Sequence, residues 1–160
     1  MTLEDAYRRW SHDLVAFATT MTGPEAAVDA VADVFQRLLA DPDRWDAVDE
    51  PRAYLFRSVH NQVRHHGRSG TRRLAREHAG WGARPSVGTD PTADAAVATV
   101  VDRDLDVALG ALSPQQRAVI DLVYWHDLTA DQAAEILGVR PGTVRRQLDR
   151  ARRRVRGALA

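Results

Sequence analysis

An all-α fold, two small helical domains joined by a flexible linker, is predicted by three observations. Apolar residues recur at helical spacing towards both ends of the chain. Proline, glycine and helix-capping residues punctuate those runs. No stretch carries the alternation of a half-buried strand.

The first helix is expected from about Leu3 to Met21, with Leu14, Phe17, Ala18 and Met21 on one face and Gly23-Pro24 closing it. A second runs from Pro24 to about Ala40 and carries a stripe of Val28, Val31, Phe35, Leu38 and Leu39. Asp41–Glu50 reads as a loop because of its aspartates and Pro42. A third helix follows from Pro51 to about His66, burying Tyr54, Leu55, Val59 and Val63. Gly67, Gly70, Gly80, Gly82, Pro85 and Gly88 then interrupt any long pattern. This segment is a linker, although TRRLAREHA has the makings of a short basic helix. The expected division is a first domain over 1–68, a linker over 69–93 and a second domain over 94–160. Helical periodicity returns over 95–112, and Ser113-Pro114 forms a cap and first turn for a helix to about Trp125.

The last segment, DLTADQAAEILGVRPGTVRRQLDRARRRVR, is a helix-turn-helix. Thr129 caps its first helix, Gly138 ends it and Pro141 opens the second. Val144, Leu148, Ala151 and Val155 fall on one face of that second helix. The opposite face shows Arg145, Arg146, Gln147, Arg150, Arg152, Arg153 and Arg154. Such a helix, set across a short turn from another, suits a DNA major groove. Its arginines attract phosphates without regard to sequence and can fork onto guanine edges.

A net charge of zero conceals segregation. From Met1 to Pro51 acids far outnumber bases, from Arg52 to Arg76 there are only bases, and from Arg140 to Arg156 only Asp149 opposes the arginines. One acidic segment and two basic ones point to a basic protein partner and two separate nucleic-acid contacts. The absence of cysteine removes disulfides and thiolate metal sites and fits a reducing cytoplasm. No apolar run reaches the roughly 18–20 residues of a membrane span. A cytoplasmic location without membrane insertion is therefore expected.

In its motifs the chain resembles the extracytoplasmic-function (ECF) sigma factors of the sigma-70 family. YRRWSHDLVAFATTMTG, AVDAVADVFQRLLADPDRWD and PRAYLFRSVHNQVRHHGR follow the order of that family's region 2. LSPQQRAVIDLVYWHDLTADQAAEILGVRPGTVRRQLDRARRRV follows region 4. The resemblance implies promoter-specific initiation with core RNA polymerase as partner. It assigns polymerase binding to Asp29, Asp33 and Arg37, with Asp29 and Asp33 one helical turn apart. It assigns capture of the single-stranded −10 element to Trp45, Arg52, Arg57, Asn61 and Arg64, although Trp45, like Tyr54, reads first as a core residue and only second as a stacking surface. It assigns duplex −35 recognition to Arg140, Thr143, Arg145, Arg146, Gln147 and Arg150. Asp149 is expected to meet a cytosine amine or to pair with a neighbouring arginine. Relatives are commonly held by an anti-sigma protein. Members often carry a small hydroxyl residue where this chain has Arg140, so the −35 sequence cannot be borrowed from a relative.

Two other classes compete. A stand-alone helix-turn-helix regulator would bind duplex DNA without polymerase, but the N-terminal half lacks the α/β pattern of a receiver domain. An enzyme would need chemistry that the motifs do not supply. His60, His65 and His66 lack metal-ligand spacing, and there is no phosphate loop or nucleophile elbow. No catalytic residue, metal, cofactor or small-molecule substrate is expected.

Overall fold

The structure, a computed structural model, describes residues 1–68 and 104–159. The predicted linker over 69–93 lies outside them, as do the first residues of the helix expected over 95–112. Every regular element among the described residues is helical. The N-terminal module holds α1 (Leu3–Met21), α2 (Pro24–Ala40), α3 (Pro42–Asp46) and α4 (Pro51–Arg68). The C-terminal module holds α5 (104–110), α6 (Pro114–Ile120) and a π-helical turn (Asp121–Trp125), followed by α7 (Ala130–Leu137) and α8 (Pro141–Leu159).

Local chemistry explains most boundaries. Thr2 Oγ1 accepts the Asp5 amide at 3.1 Å and starts α1. Ser113 with Gln116, and Thr129 with Gln132, form reciprocal capping boxes at the heads of α6 and α7. Each box satisfies two backbone donors that the first helical turn leaves without partners. Gly138 ends α7 at φ 66°, the left-handed conformation that lets the chain turn back into α8.

The segment expected as a loop, Asp41–Glu50, contains the one-turn helix α3. Asp41 Oδ1 accepts the Arg44 amide at 3.4 Å, and Pro42 supplies a first helical position that has no N–H to lose. The turn is pinned by Trp45, 5% exposed, whose indole N–H donates to the Met1 carbonyl at 3.1 Å. Trp45 belongs to the core, so its ring is closed to a nucleobase.

Leu14 and Phe17 of α1, Val31 and Phe35 of α2, and Leu55 and Val59 of α4 centre the N-terminal core. Two members of the expected α2 stripe are corrected: Val28 and Leu39 are 53% and 68% exposed. They flank the face that Ala27, Val31, Val34 and Leu38 turn inward, beyond the reach of α1 and α4.

The two modules share a core. Phe56 of α4, 1% exposed, meets Phe17 at a ring separation of 5.2 Å and His126 of the C-terminal module at 4.8 Å. On either side of it Arg52 Nη2 donates to the His126 carbonyl and Arg57 Nε to the Glu135 carbonyl, each at 3.1 Å. The second bond places a cation near the C-terminal end of α7, where carbonyls lack helical partners and the helix dipole favours positive charge. The π-helical turn directs His126 into this joint. Its amide donates to the Asp121 carbonyl at 3.2 Å, and its Nε2 lies 3.1 Å from the buried Asp121 Oδ2.

Two outcomes are expected in denaturation experiments. A Cβ at Gly138 meets nothing within 4 Å, so Gly138→Ala costs only backbone strain, about 1–2 kcal/mol, and Gly138→Asn costs less. Equal stability of all three proteins contradicts this. His60 is 7% exposed, and burial, with Arg64 nearby, lowers its pKa to about 4. The folded chain therefore holds it neutral, while the unfolded chain protonates it near its ordinary value of 6.5. Its contribution is complete above about pH 6.5 and is lost towards pH 4, at most about 3 kcal/mol. Acid destabilisation across that window should be smaller in His60→Leu than in the wild type.

Candidate nucleic-acid interface

Three surfaces gather the residues singled out by sequence. The first is α8. Val144, Leu148 and Ala151 are buried against the rest of the module, which turns the arginine face outward. Arg146 and Arg150 project into solvent with no partner among the described residues. Arg145 reaches back to Asp131 of α7 at 3.3 Å, a pair 63% and 71% exposed and hence weakly held. Arg140 is exposed at the head of α8, where its carbonyl accepts the Thr143 amide at 2.9 Å. Gln147 faces inward more than expected, since its Oε1 accepts from Gln116 Nε2 at 3.2 Å. Asp149 pairs with Arg153 at 3.0 Å along the helix. Arg152 is drawn aside onto Tyr124, donating to its hydroxyl at 2.7 Å.

The second surface lies between α2, α3 and α4. A cavity of about 370 Å³ is floored by Val34 and Leu38 and walled by Arg37, Arg44, Tyr54, Ser58, Asn61, Gln62 and His65. Arg44 Nε donates to the Tyr54 hydroxyl at 2.9 Å, and Tyr54 packs edge-on to Trp45 at 6.5 Å. The expected strand-binding residues divide. Asn61 lines this cavity, and Arg64 is exposed two helical turns beyond Arg57. Arg52 and Arg57 instead sit in the joint between modules, and Trp45 lies behind the cavity in the core. None of Arg44, Ser58 and Gln62 was singled out by sequence, and His65 was taken up only as a metal ligand to be set aside. Asn61 was the available signal, because Ser58, Gln62 and His65 lie within one helical turn of it.

The third surface is the acidic edge of α2. Asp29 is exposed. Asp33 is partly turned towards α4: its Oδ2 accepts from Gln62 Nε2 at 3.1 Å and lies 3.3 Å from His66 Nε2. Arg37, expected beside the aspartates on a docking face, reaches the same Gln62 amide as Asp33 and donates to its Oε1 across the groove to α4. Of the three histidines weighed as ligands, His60 is buried, His65 borders the cavity and His66 joins Asp33. Among the described residues no group of three His, Cys, Asp or Glu side chains converges as a metal site. None of the described helices is long and apolar enough to cross a membrane.

Comparison with known proteins identifies the family. The family model for Sigma-70 region 2 matches residues 6–73, and that for Sigma-70, region 4 matches residues 102–155. A curated relative, the RNA polymerase sigma-E factor of Streptomyces avermitilis, is 32% identical over 126 residues. That match covers 72% of this chain and 63% of the relative, so the chain spans less than two thirds of the relative's length. Among solved structures, the sigma factor RpoE of Bartonella quintana, in complex with the anti-sigma factor NepR, is similar over 98% of this chain and 95% of its own. The TM-score is 0.65 at 26% identity. CnrH in complex with the cytosolic domain of CnrY shares the fold, with a TM-score of 0.57 at 23% identity over 98% of this chain and 86% of that one. With region 2 matched on the bundle that holds the cavity and region 4 on the module that presents α8, the chain belongs to the sigma-70 family, in its ECF form.

Proposed function

We propose that the chain is an RNA polymerase sigma factor that directs promoter-specific initiation. The observation that carries this reading is the pairing, in one chain, of a major-groove helix with a separate basic cavity of a size for a flipped base. α8 offers Arg146 and Arg150 to the −35 duplex, with Arg140, Thr143 and Arg145 at the groove rim and Gln147 at its inner edge. Phosphate contacts set the register, and base edges supply the discrimination.

The cavity beside α4 takes a non-template base extruded from the −10 element. Asn61 supplies an amide for the base edge, and Arg37, Arg44 and Arg64 supply charge for the strand. Arg52 and Arg57 are engaged with carbonyls of the C-terminal module, so their use on the strand requires the modules to part.

Asp29, with Asp33 beside it, meets a basic element of core polymerase, and opposite charge there sets encounter and register. An anti-sigma protein has a surface to cover on the C-terminal module. Leu105, Leu109, Ile120, Trp125 and Leu159 line an apolar groove edged by Arg152 and Arg156, which suits an acidic amphipathic helix. The protein acts in the cytoplasm, where polymerase and promoter are, and as a binding factor without chemistry of its own.

Run-off transcription with core polymerase tests the whole reading: initiation from a sequence-selected subset of a random promoter library supports it, and none from any template overturns it. Asp29→Arg should weaken association with core by about tenfold while circular dichroism is unchanged. Full association would move the docking face elsewhere. Arg146→Ala should cost about 1–3 kcal/mol on −35-dependent promoters. An equal loss on every sequence would make Arg146 a phosphate contact.

A further inference from the structure

The arginines of α8 are not equally free. Arg152 is drawn to the Tyr124 hydroxyl at 2.7 Å, and Arg154 to the Ala111 carbonyl and to Gln116 Oε1, each at 3.4 Å. Arg153 pairs with Asp149 at 3.0 Å, four residues back along the same helix. Among the described residues, Arg145 is the arginine of α8 whose carboxylate partner comes from another helix. Its Nη2 lies 3.3 Å from Oδ1 of Asp131, in the first turn of α7.

A helix-turn-helix lays its first helix across the phosphate backbone and sends its second into the groove. The Asp131–Arg145 pair spans those two helices and therefore stands beside the phosphates. An arginine binds duplex phosphate by releasing a counterion from the DNA. A paired arginine gives no net release, because the carboxylate it leaves must take up a cation in exchange. Asp131 also sets negative charge at the head of α7, where the helix dipole would otherwise favour a phosphate. An acidic residue in a first turn ordinarily stabilises its own helix, but that role needs no partner on α8.

We infer that Asp131 restrains sequence-independent duplex binding by holding Arg145 off the phosphate backbone. This rests on the reading of α8 as the major-groove helix. Recognition is left to Arg146 and Arg150, which have no partner among the described residues. The free chain is thereby kept from spreading over bulk DNA and stays available to core polymerase. Asp131 is a positioning residue that acts through Arg145.

The test titrates the full chain, without polymerase, onto a fluorescently labelled duplex of random sequence and reads anisotropy over a range of salt concentrations. Asp131 is exposed, so its substitution leaves the fold intact. Asp131→Asn should bind about threefold tighter at low salt, the scale of one released surface pair. The slope of log affinity against log salt should steepen by about one unit. In an Arg145→Ala background the same substitution should lose most of both effects. Asp131→Glu keeps the carboxylate and should bind as the wild type does.

The inference is overturned if Asp131→Asn matches the wild type in affinity and slope, which is what a role confined to helix stability predicts. Equal gains with and without Arg145 overturn it too, as does a failure of every variant to bind duplex at low salt. Run-off transcription by the wild type with core polymerase keeps the two readings apart. Initiation from selected promoters, with no effect of Asp131→Asn on duplex binding, overturns this inference alone, whereas silence on every template overturns the sigma-factor reading.

Discussion

Phe56 is packed from two directions, and the arrangement of the molecule follows from that. Against Phe17 it completes the N-terminal bundle; against His126 it joins the C-terminal module to the same apolar mass. Burying such a ring on both sides contributes several kcal/mol, of the order lost when a core phenylalanine is truncated, about 3–5 kcal/mol. The arginines beside it add direction. Backbone carbonyls near the end of α7 and at the close of the π-helical turn have few acceptable partners, and Arg52 and Arg57 supply them. Helix α4 thus belongs to both halves of the chain.

This double membership ties architecture to function. One face of α4 holds the modules together, another presents Asn61 to the cavity, and its C-terminal part reaches Asp33 through Gln62 and His66. The basic run from Arg52 onward therefore does not act as one uniform strand-binding strip. Arg52 and Arg57 stabilise the closed arrangement, whereas Asn61 and Arg64 remain available.

What the sequence disclosed was local. Thr129, Gly138 and Pro141 announce the helix-turn-helix because each acts on backbone groups within a few residues. Ser113 does the same for α6. The outward arginines of α8 were legible because its apolar face repeats at helical spacing. What stayed hidden depends on distant partners. Trp45 could serve a base or the core, and only its bond to the Met1 carbonyl and its contact with Tyr54 decide for the core. Arg52 and Arg57 find acceptors 74 and 78 residues away, and those acceptors are backbone atoms without a side-chain signature. Gln62 looked like an ordinary polar residue until α2 placed a cation at one end of its amide and an anion at the other.

The proposed function requires that the closed arrangement built on Phe56 exist in the free protein and open when α4 binds the promoter strand. The chain has no cysteine, so His12→Cys on α1 and Asp131→Cys on α7, both exposed positions, place two spin labels across the joint. Pulsed electron–electron resonance should show one narrow distance in the free chain and a different, longer one in a transcription-competent complex with core polymerase and promoter. A broad distribution in the free chain, or the same narrow distance in the active complex, contradicts the account.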